Sequence, residues 1–240
     1  MTVVVTGATE GIGRGVVDVL AARGVAVAAL ARGAASVDWP DGVRGYACDV
    51  ASPDSVADVA AAVVSDFGSV DGLVNSAGLL RMALPSSPGG EGELDDQWRV
   101  NFHGTVSMCR ALLPALRAAR GTIVNVSSST VFRPIARMAA YGATKAAVEA
   151  YSQGLALEVA ADGVRVHVVR PGLVRSNIHY ANGSSEAAYE AFLAEAVARI
   201  PLGRVGEPLD VAGPIAFLLS DGARWMTGSV LTVDGGRSLA

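Results

Sequence analysis

The first thirteen residues constrain the fold more tightly than any other stretch. Thr2 to Val5 is β-branched and apolar, as a strand buried on both faces of a parallel sheet should be. It runs straight into Thr6-Gly7-Ala8-Thr9-Glu10-Gly11-Ile12-Gly13, after which an amphipathic stretch extends from about Ile12 to Arg23. Glycine permits a tight turn and lets backbone approach a ligand closely. The helix start offers unpaired N–H groups and a positive dipole end. Strand, glycine turn and helix in that order predict a crossover unit whose first turn takes the pyrophosphate of a dinucleotide. Gly7, Thr9, Gly11, Ile12 and Gly13 are the expected cradle.

The remainder keeps the same alternation. Further strands are expected at 25–31, 45–48, 73–75, 122–126, 164–169 and 230–233. Helices are expected at 53–67, 94–119 (with Pro114 as a kink), 139–161 and 208–219, and a long insertion at 173–205 carries a helical pattern near 186–199. Alternating strands and helices predict a doubly wound seven-stranded parallel sheet with helices on both faces. Residues 1–240 show no repeat, linker or low-complexity tail, so a single domain is expected. Ligands should bind outside the carboxyl ends of the strands, where the strand order reverses.

Composition narrows the class. Hydrophobic residues are 51% and charged residues 18%, enough apolar material for a large core. The longest apolar run, Val25 to Ala31, is strand-sized, and residues 1–6 lack the marks of a secretion signal, so no membrane association and a cytoplasmic location are expected. A net charge of −4 argues against nucleic acid as a partner. Two cysteines, Cys48 and Cys109, are too few for a disulfide framework and read as core thiols. His103, His167 and His179 have no metal-ligand spacing, so no metal is expected.

One count points to chemistry. Of 19 basic residues, 18 are arginine and only Lys145 is lysine. Tyr141 lies four residues before it, on the same helical face. Ser128, at the end of the strand 122–126, lies thirteen residues before Tyr141. A phenol, an ammonium and a hydroxyl therefore meet at the carboxyl edge of the sheet. At the end of the second strand stands Ala31-Arg32-Gly33, with no acid to accept from a ribose 2′-hydroxyl. Arg32 instead suits a 2′-phosphate, which favours NADP(H) and leaves NAD(H) open.

With these pieces in this order the chain resembles the short-chain dehydrogenase/reductase family over essentially its whole length. The resemblance rests on TGATEGIG (6–13), CDV (48–50), VNSAG (74–78), Asn101, Ser128, YGATK (141–145), RPG (170–172) and PLGRVGEP with TGSVLTVDGG (201–236). It implies that Tyr141 is the general acid/base, that Lys145 favours the phenolate and bonds the nicotinamide ribose, and that Ser128 holds the substrate oxygen. It further implies that Asn101 holds a water in the proton relay. Asp49 and Val50 would meet the adenine, while Asn75, Ala77, Gly78, Pro171, Gly172, Val174 and Ser176 would line the cofactor. Ser76 replaces the second asparagine of the common NNAG pattern. Helices at 94–119 and 139–161 resemble the faces through which the family builds homotetramers.

Substrate specificity lies in loops. AGLLRM (77–82) and RMAAYGATKAA (137–147) resemble the 2,3-dihydro-2,3-dihydroxybenzoate dehydrogenase branch. This implies aromatising oxidation of a small-molecule cyclohexadiene hydroxy-carboxylate, of dihydroxybenzoate or hydroxyanthranilate type, in siderophore or secondary metabolism. Leu80, Met82 and Met138 would wall the ring. Arg81 and Arg137, or else Arg133 or Arg175, would pair with the carboxylate. Ile135 stands where that branch has an arginine, and Ala31 where it has an acid. The alternatives are a 3-oxoacyl carrier-protein reductase or other NADPH ketoreductase, and a non-catalytic dinucleotide sensor.

Overall fold

A computed structural model describes residues 1–82, 90–176 and 185–240. His179, in the stretch where substrate contact was considered, lies outside them. Five of the strands are β1 (Thr2–Thr6), β2 (Ala26–Ala31), β3 (Val43–Ala47), β4 (Gly72–Asn75) and β5 (Thr122–Val126). With β6 (Arg165–Pro171) and β7 (Val230–Val233) they form one parallel sheet in the order β3-β2-β1-β4-β5-β6-β7. The order reverses between β1 and β4, whose register pairs Thr6 with Asn75. The crevice above that pair is where the first glycine turn opens.

Strand alternation divides the core into two layers. Val3 and Val5 pack with α1 (Gly11–Ala21) and α7 (Pro208–Leu219), whereas Val4, Leu73 and Ile123 pack with α2 (Pro53–Phe67) and α4 (Gly104–Ala119). Each such side chain, fully buried, contributes about 1.5–3 kcal/mol of transfer free energy. Local signals set the helix ends. Ser52 accepts from the Ser55 N–H at 3.3 Å and Pro53 fills the first turn of α2, while Gly68 closes it in the left-handed region at φ 75°. The helix α6 (Glu186–Val197) opens on Ser185, which accepts from the Ala188 N–H at 3.2 Å. It builds a satellite core of Leu173, Tyr189, Leu193, Ile200 and Val205.

The structure corrects three expectations. The third strand begins at Val43, because edge pairing with β2 starts at Val27. The helix 94–119 begins as α3 at Gly90 (Gly90–Gln97), passes through a π-helical stretch at Trp98–His103 and continues as α4, which runs through Pro114 without a break. The next helix, α5 (Ala139–Val159), stops before 161 and ends in a 3-10 turn at Ala160–Asp162.

Candidate active site

The carboxyl edge of the sheet opens into a cavity of about 890 Å³. One end is walled by Gly7, Thr9, Gly11 and Ile12, and continues past Arg32, Asp49 and Val50. The cavity then passes Ala77 and Gly78 to Ser128, Tyr141, Lys145, Pro171, Gly172, Val174 and Ser176. Gly7 has φ +65°, and a Cβ there would lie 2.8 Å from the Cα of Ala77. A Cβ on Gly13 would lie 2.2 Å from the Gly7 carbonyl oxygen. Only glycine fits either position, and the turn they make presents the start of α1 to the cavity. These residues fit a dinucleotide.

Ser128 follows β5 in an extended conformation and its Oγ accepts from the Thr130 N–H at 3.2 Å and the Thr130 hydroxyl at 3.0 Å. Tyr141 and Ser128 share the cavity wall, and Ser128 is the side chain whose proximity acts on the phenol. Lys145 lies one turn further along α5, its Nζ 5.8 Å from the Tyr141 ring centroid, and donates to the Val126 carbonyl at 2.9 Å. A Cβ on Gly78 would sit 3.6 Å from Asn101 Oδ1 and 3.7 Å from Lys145 Nζ, so Gly78 keeps the space between those two groups open. Asn101 is fully buried within the π-helical stretch. Its side chain clamps Leu79, accepting from the N–H at 2.7 Å and donating to the carbonyl at 2.9 Å, and also donates to Thr144 Oγ1 at 3.1 Å. Its own carbonyl accepts from the Thr105 hydroxyl at 2.9 Å.

Burial governs the two titrating groups. It pushes the Tyr141 phenol up to about 12, with Ser128 acting the other way, and pulls the Lys145 ammonium down to about 8. In the protein itself desolvation is the larger influence on both groups.

Other expected residues sit elsewhere. Gly13 packs on the turn rather than on the cavity. Asn75 is buried and donates to Asn125 Oδ1 at 2.9 Å and Cys109 Sγ at 3.4 Å, tying β4 to β5 instead of lining the cavity. Asn101 braces the wall from behind. Among the substrate candidates, Leu80, Arg81, Met82 and Met138 line the cavity. Arg137 does not: it is exposed, at φ +66°. Arg175 is engaged by Glu190 and Glu207 on the surface, and Arg133 donates to the carbonyls of Arg237 and Ala240. Cys48 and Cys109 are buried free thiols. His167 is buried in β6 beside Arg165, and burial holds its ring down to about 4. Among the described residues no group of three metal-ligating side chains occurs.

Sequence reasoning missed three features here. Arg199 and Arg237 line the cavity. Glu149, one turn past Lys145 on α5, joins three elements. It accepts from the Ser127 hydroxyl at 2.6 Å and pairs bidentately with Arg170, Nε to Oε1 at 2.9 Å and Nη2 to Oε2 at 2.6 Å. Its spacing of four from Lys145 and eight from Tyr141 was a usable signal.

With this geometry the comparisons agree. A family model described as enoyl-(acyl carrier protein) reductase matches residues 7–238. The 3-oxoacyl-acyl-carrier-protein reductase FabG of Vibrio cholerae is 34% identical over 238 residues, covering 97% of this chain and 95% of the relative. The D-threitol dehydrogenase of Mycolicibacterium smegmatis is 36% identical over 245 residues, covering 98% and 92%. The structure of 3-ketoacyl-(acyl-carrier-protein) reductase from Brucella melitensis complexed with NADH superposes with a TM-score of 0.87 at 32% identity, covering 99% of this chain and 98% of that one. The glycine turn, the Ser128–Tyr141–Lys145 group on the cavity wall and these likenesses place the chain in the short-chain dehydrogenase/reductase family of NAD(P)-dependent oxidoreductases.

Proposed function

We propose that the chain is an NADPH-dependent ketoreductase of the 3-oxoacyl type. The observation that carries this reading is the placing of Ser128, Tyr141 and Lys145 on one cavity wall in a chain similar to 3-oxoacyl carrier-protein reductases. Reduction of a ketone needs an acid at the carbonyl oxygen, and the Tyr141 phenol supplies it. Ser128 and Tyr141 both donate to that oxygen, and Tyr141 transfers its proton as the carbonyl carbon is reduced. The nicotinamide, when bound, supplies the hydride. Lys145 stands behind the phenol, and Asn101 lies across Gly78 from it, so the pair forms the inner end of a relay that returns the proton to Tyr141. The likeness to 3-oxoacyl carrier-protein reductases supports the substrate type.

Aromatising oxidation of a cyclohexadiene hydroxy-carboxylate is the second reading. It is favoured by Leu80, Arg81, Met82 and Met138 on the cavity wall, and weakened by the exposed Arg137 and by Ile135 at the wall. A non-catalytic sensor is disfavoured by the intact proton-transfer group. Arg32 makes no ion pair with the described residues and supports NADP(H) over NAD(H). Exposed apolar side chains at Leu157 on α5 and Trp225 after α7 support the expected homotetramer. Among the described residues no helix is long and apolar enough to cross a membrane.

The deciding experiment is a substrate panel with NADPH, NADH and their oxidised forms: 3-oxoacyl thioesters, cyclohexadiene hydroxy acids and a neutral polyol. Fastest turnover of 3-oxoacyl thioesters with NADPH is expected. Turnover confined to the cyclohexadiene acids would transfer the assignment to the second reading, and cofactor binding without any turnover would leave only the sensor.

A further inference from the structure

One corner of the cavity holds positive charge that neither the proton relay nor the cofactor cradle uses. Arg199, just past α6, and Arg237, after β7, line the same cavity as Ser128 and Tyr141. Arg133, which follows the turn of Ser128, donates to the Arg237 carbonyl at 2.6 Å and to the Ala240 carbonyl, and so pins this stretch against the cavity. Three segments far apart in sequence thus bring three guanidinium groups together. Arg133 and Arg199 both act on the half-buried Arg237 as like charges.

Such crowding costs the fold stability, because each cation disfavours the others. The nearby acids offset it only in part. Asp234 favours the Arg237 cation, while its two carboxylate oxygens also accept from the backbone N–H groups of Gly236 at 2.9 Å and Ser238 at 2.8 Å. Arg199 has an exposed helical partner, Glu195, at 2.8 Å. Among the described residues no acid forms an ion pair with Arg237. The surroundings are apolar: Ile135, Met138 and Leu80 pack around Tyr141, and Phe192 joins them on the wall. Low-dielectric walls strengthen the pull of a cation on an incoming anion.

We infer that Arg237, assisted by Arg199, receives an anionic oxygen group of the substrate whose carbonyl oxygen is presented to Tyr141. The inference rests on the oxidoreductase reading above and adds the substrate class: a ketone or alcohol carrying a carboxylate or a phosphate, rather than a neutral polyol. A guanidinium fork pairs bidentately with either group. The two sources of that chemistry are a small oxo acid and a phosphorylated pantetheine-type thioester.

The test has two arms. The first compares 3-oxobutanoate with its ethyl ester. The second compares 3-oxobutanoyl pantetheine with and without its terminal phosphate. In the wild-type enzyme, kcat/KM for the anionic member of at least one arm should exceed that of its neutral twin by about tenfold or more. Arg237→Gln should remove most of that preference through KM, Arg237→Lys should retain part of it, and Arg137→Gln should leave it unchanged. The arm that shows the preference identifies the source. Equal kcat/KM for charged and neutral members in both arms, or a preference that survives Arg237→Gln, overturns the inference. Calorimetric titration with 3-oxobutanoate and with inorganic phosphate reads the site without turnover. Binding that Arg237→Gln abolishes supports the anion site, and no binding by the wild type overturns it. Failure of every ketone to turn over counts against the ketoreductase reading alone, since the calorimetric arm still decides the anion site.

Discussion

Replacing Glu149 by leucine should unsettle the carboxyl edge of the sheet far more than its distance from the chemistry suggests. Glu149 bonds the Ser127 hydroxyl, next to Ser128, and pairs with Arg170, next to the Pro171-Gly172 turn on the cavity wall. In the variant, Arg170 keeps only Thr232 Oγ1 at 3.5 Å and the face of Phe132 at 5.9 Å, and Ser127 keeps the Lys145 carbonyl at 3.3 Å. Breaking a fully buried ion pair costs about 3–5 kcal/mol. The side chains here are 17% and 10% exposed, so Arg170 can turn partly to water. A loss of about 2–3 kcal/mol is therefore expected, or roughly 5–10 °C in Tm for a chain of this size. The double replacement Glu149→Leu with Arg170→Met removes both charges and should recover at least half of the loss. Urea unfolding of the two single variants and the double, at one protein concentration, completes the cycle. A loss below about 1 kcal/mol for Glu149→Leu, or a double variant that loses the sum of the singles, would refute the reasoning.

Three further outcomes are expected. Tyr141→Phe should lower kcat to below about 1% of wild type while leaving NADPH binding within about twofold, read by single-turnover kinetics and cofactor titration; retained activity of more than a few per cent would contradict its acid/base role. Arg32→Ala should raise the KM for NADPH about tenfold and leave that for NADH unchanged, and an unaltered NADPH value would remove the argument from Arg32. Lys145→Met should be more stable than wild type at pH 7 by about 2–3 kcal/mol. Burial pulls the folded ammonium down to about 8, below its ordinary 10.5, so the folded state binds the proton less tightly than the unfolded chain. The cost is therefore full below about pH 8 and fades as pH rises toward 10.5, and unfolding at pH 7 and pH 10 should show the advantage shrinking. An advantage that grew with pH would exclude this account.

The sheet and its order of elements were legible because β-branched runs, glycine turns and helix caps are local signals. Ser52-Pro53 and Ser185 announce their helices within three residues. The grouping of Ser128, Tyr141 and Lys145 followed from helical spacing and the end of one strand. What escaped was set by packing across the chain. The π-helical stretch around Asn101 has no local mark, since its extra residue is accommodated by bonds to Leu79, Thr144 and Thr105. The burial of Tyr141 was not legible, because spacing reveals a neighbouring charge but not how completely water is excluded. The arginines on the wall were missed for a related reason. Nearness to the motifs favoured Arg137 and Arg175, whereas Arg237 lies on the cavity wall in a segment bonded by Arg133, more than a hundred residues earlier.

The π-helical stretch at Trp98–His103 also fixes how this region can change length. An α-helix advances about 100° per residue, so loss of one residue here would restore ordinary winding and swing the side chains upstream of the deletion around the axis relative to α4. Gln97, which accepts from the Arg81 N–H at 3.1 Å, would leave its place beneath the Leu80–Met82 wall. Insertions and deletions should accordingly be rejected between Gln97 and Thr105.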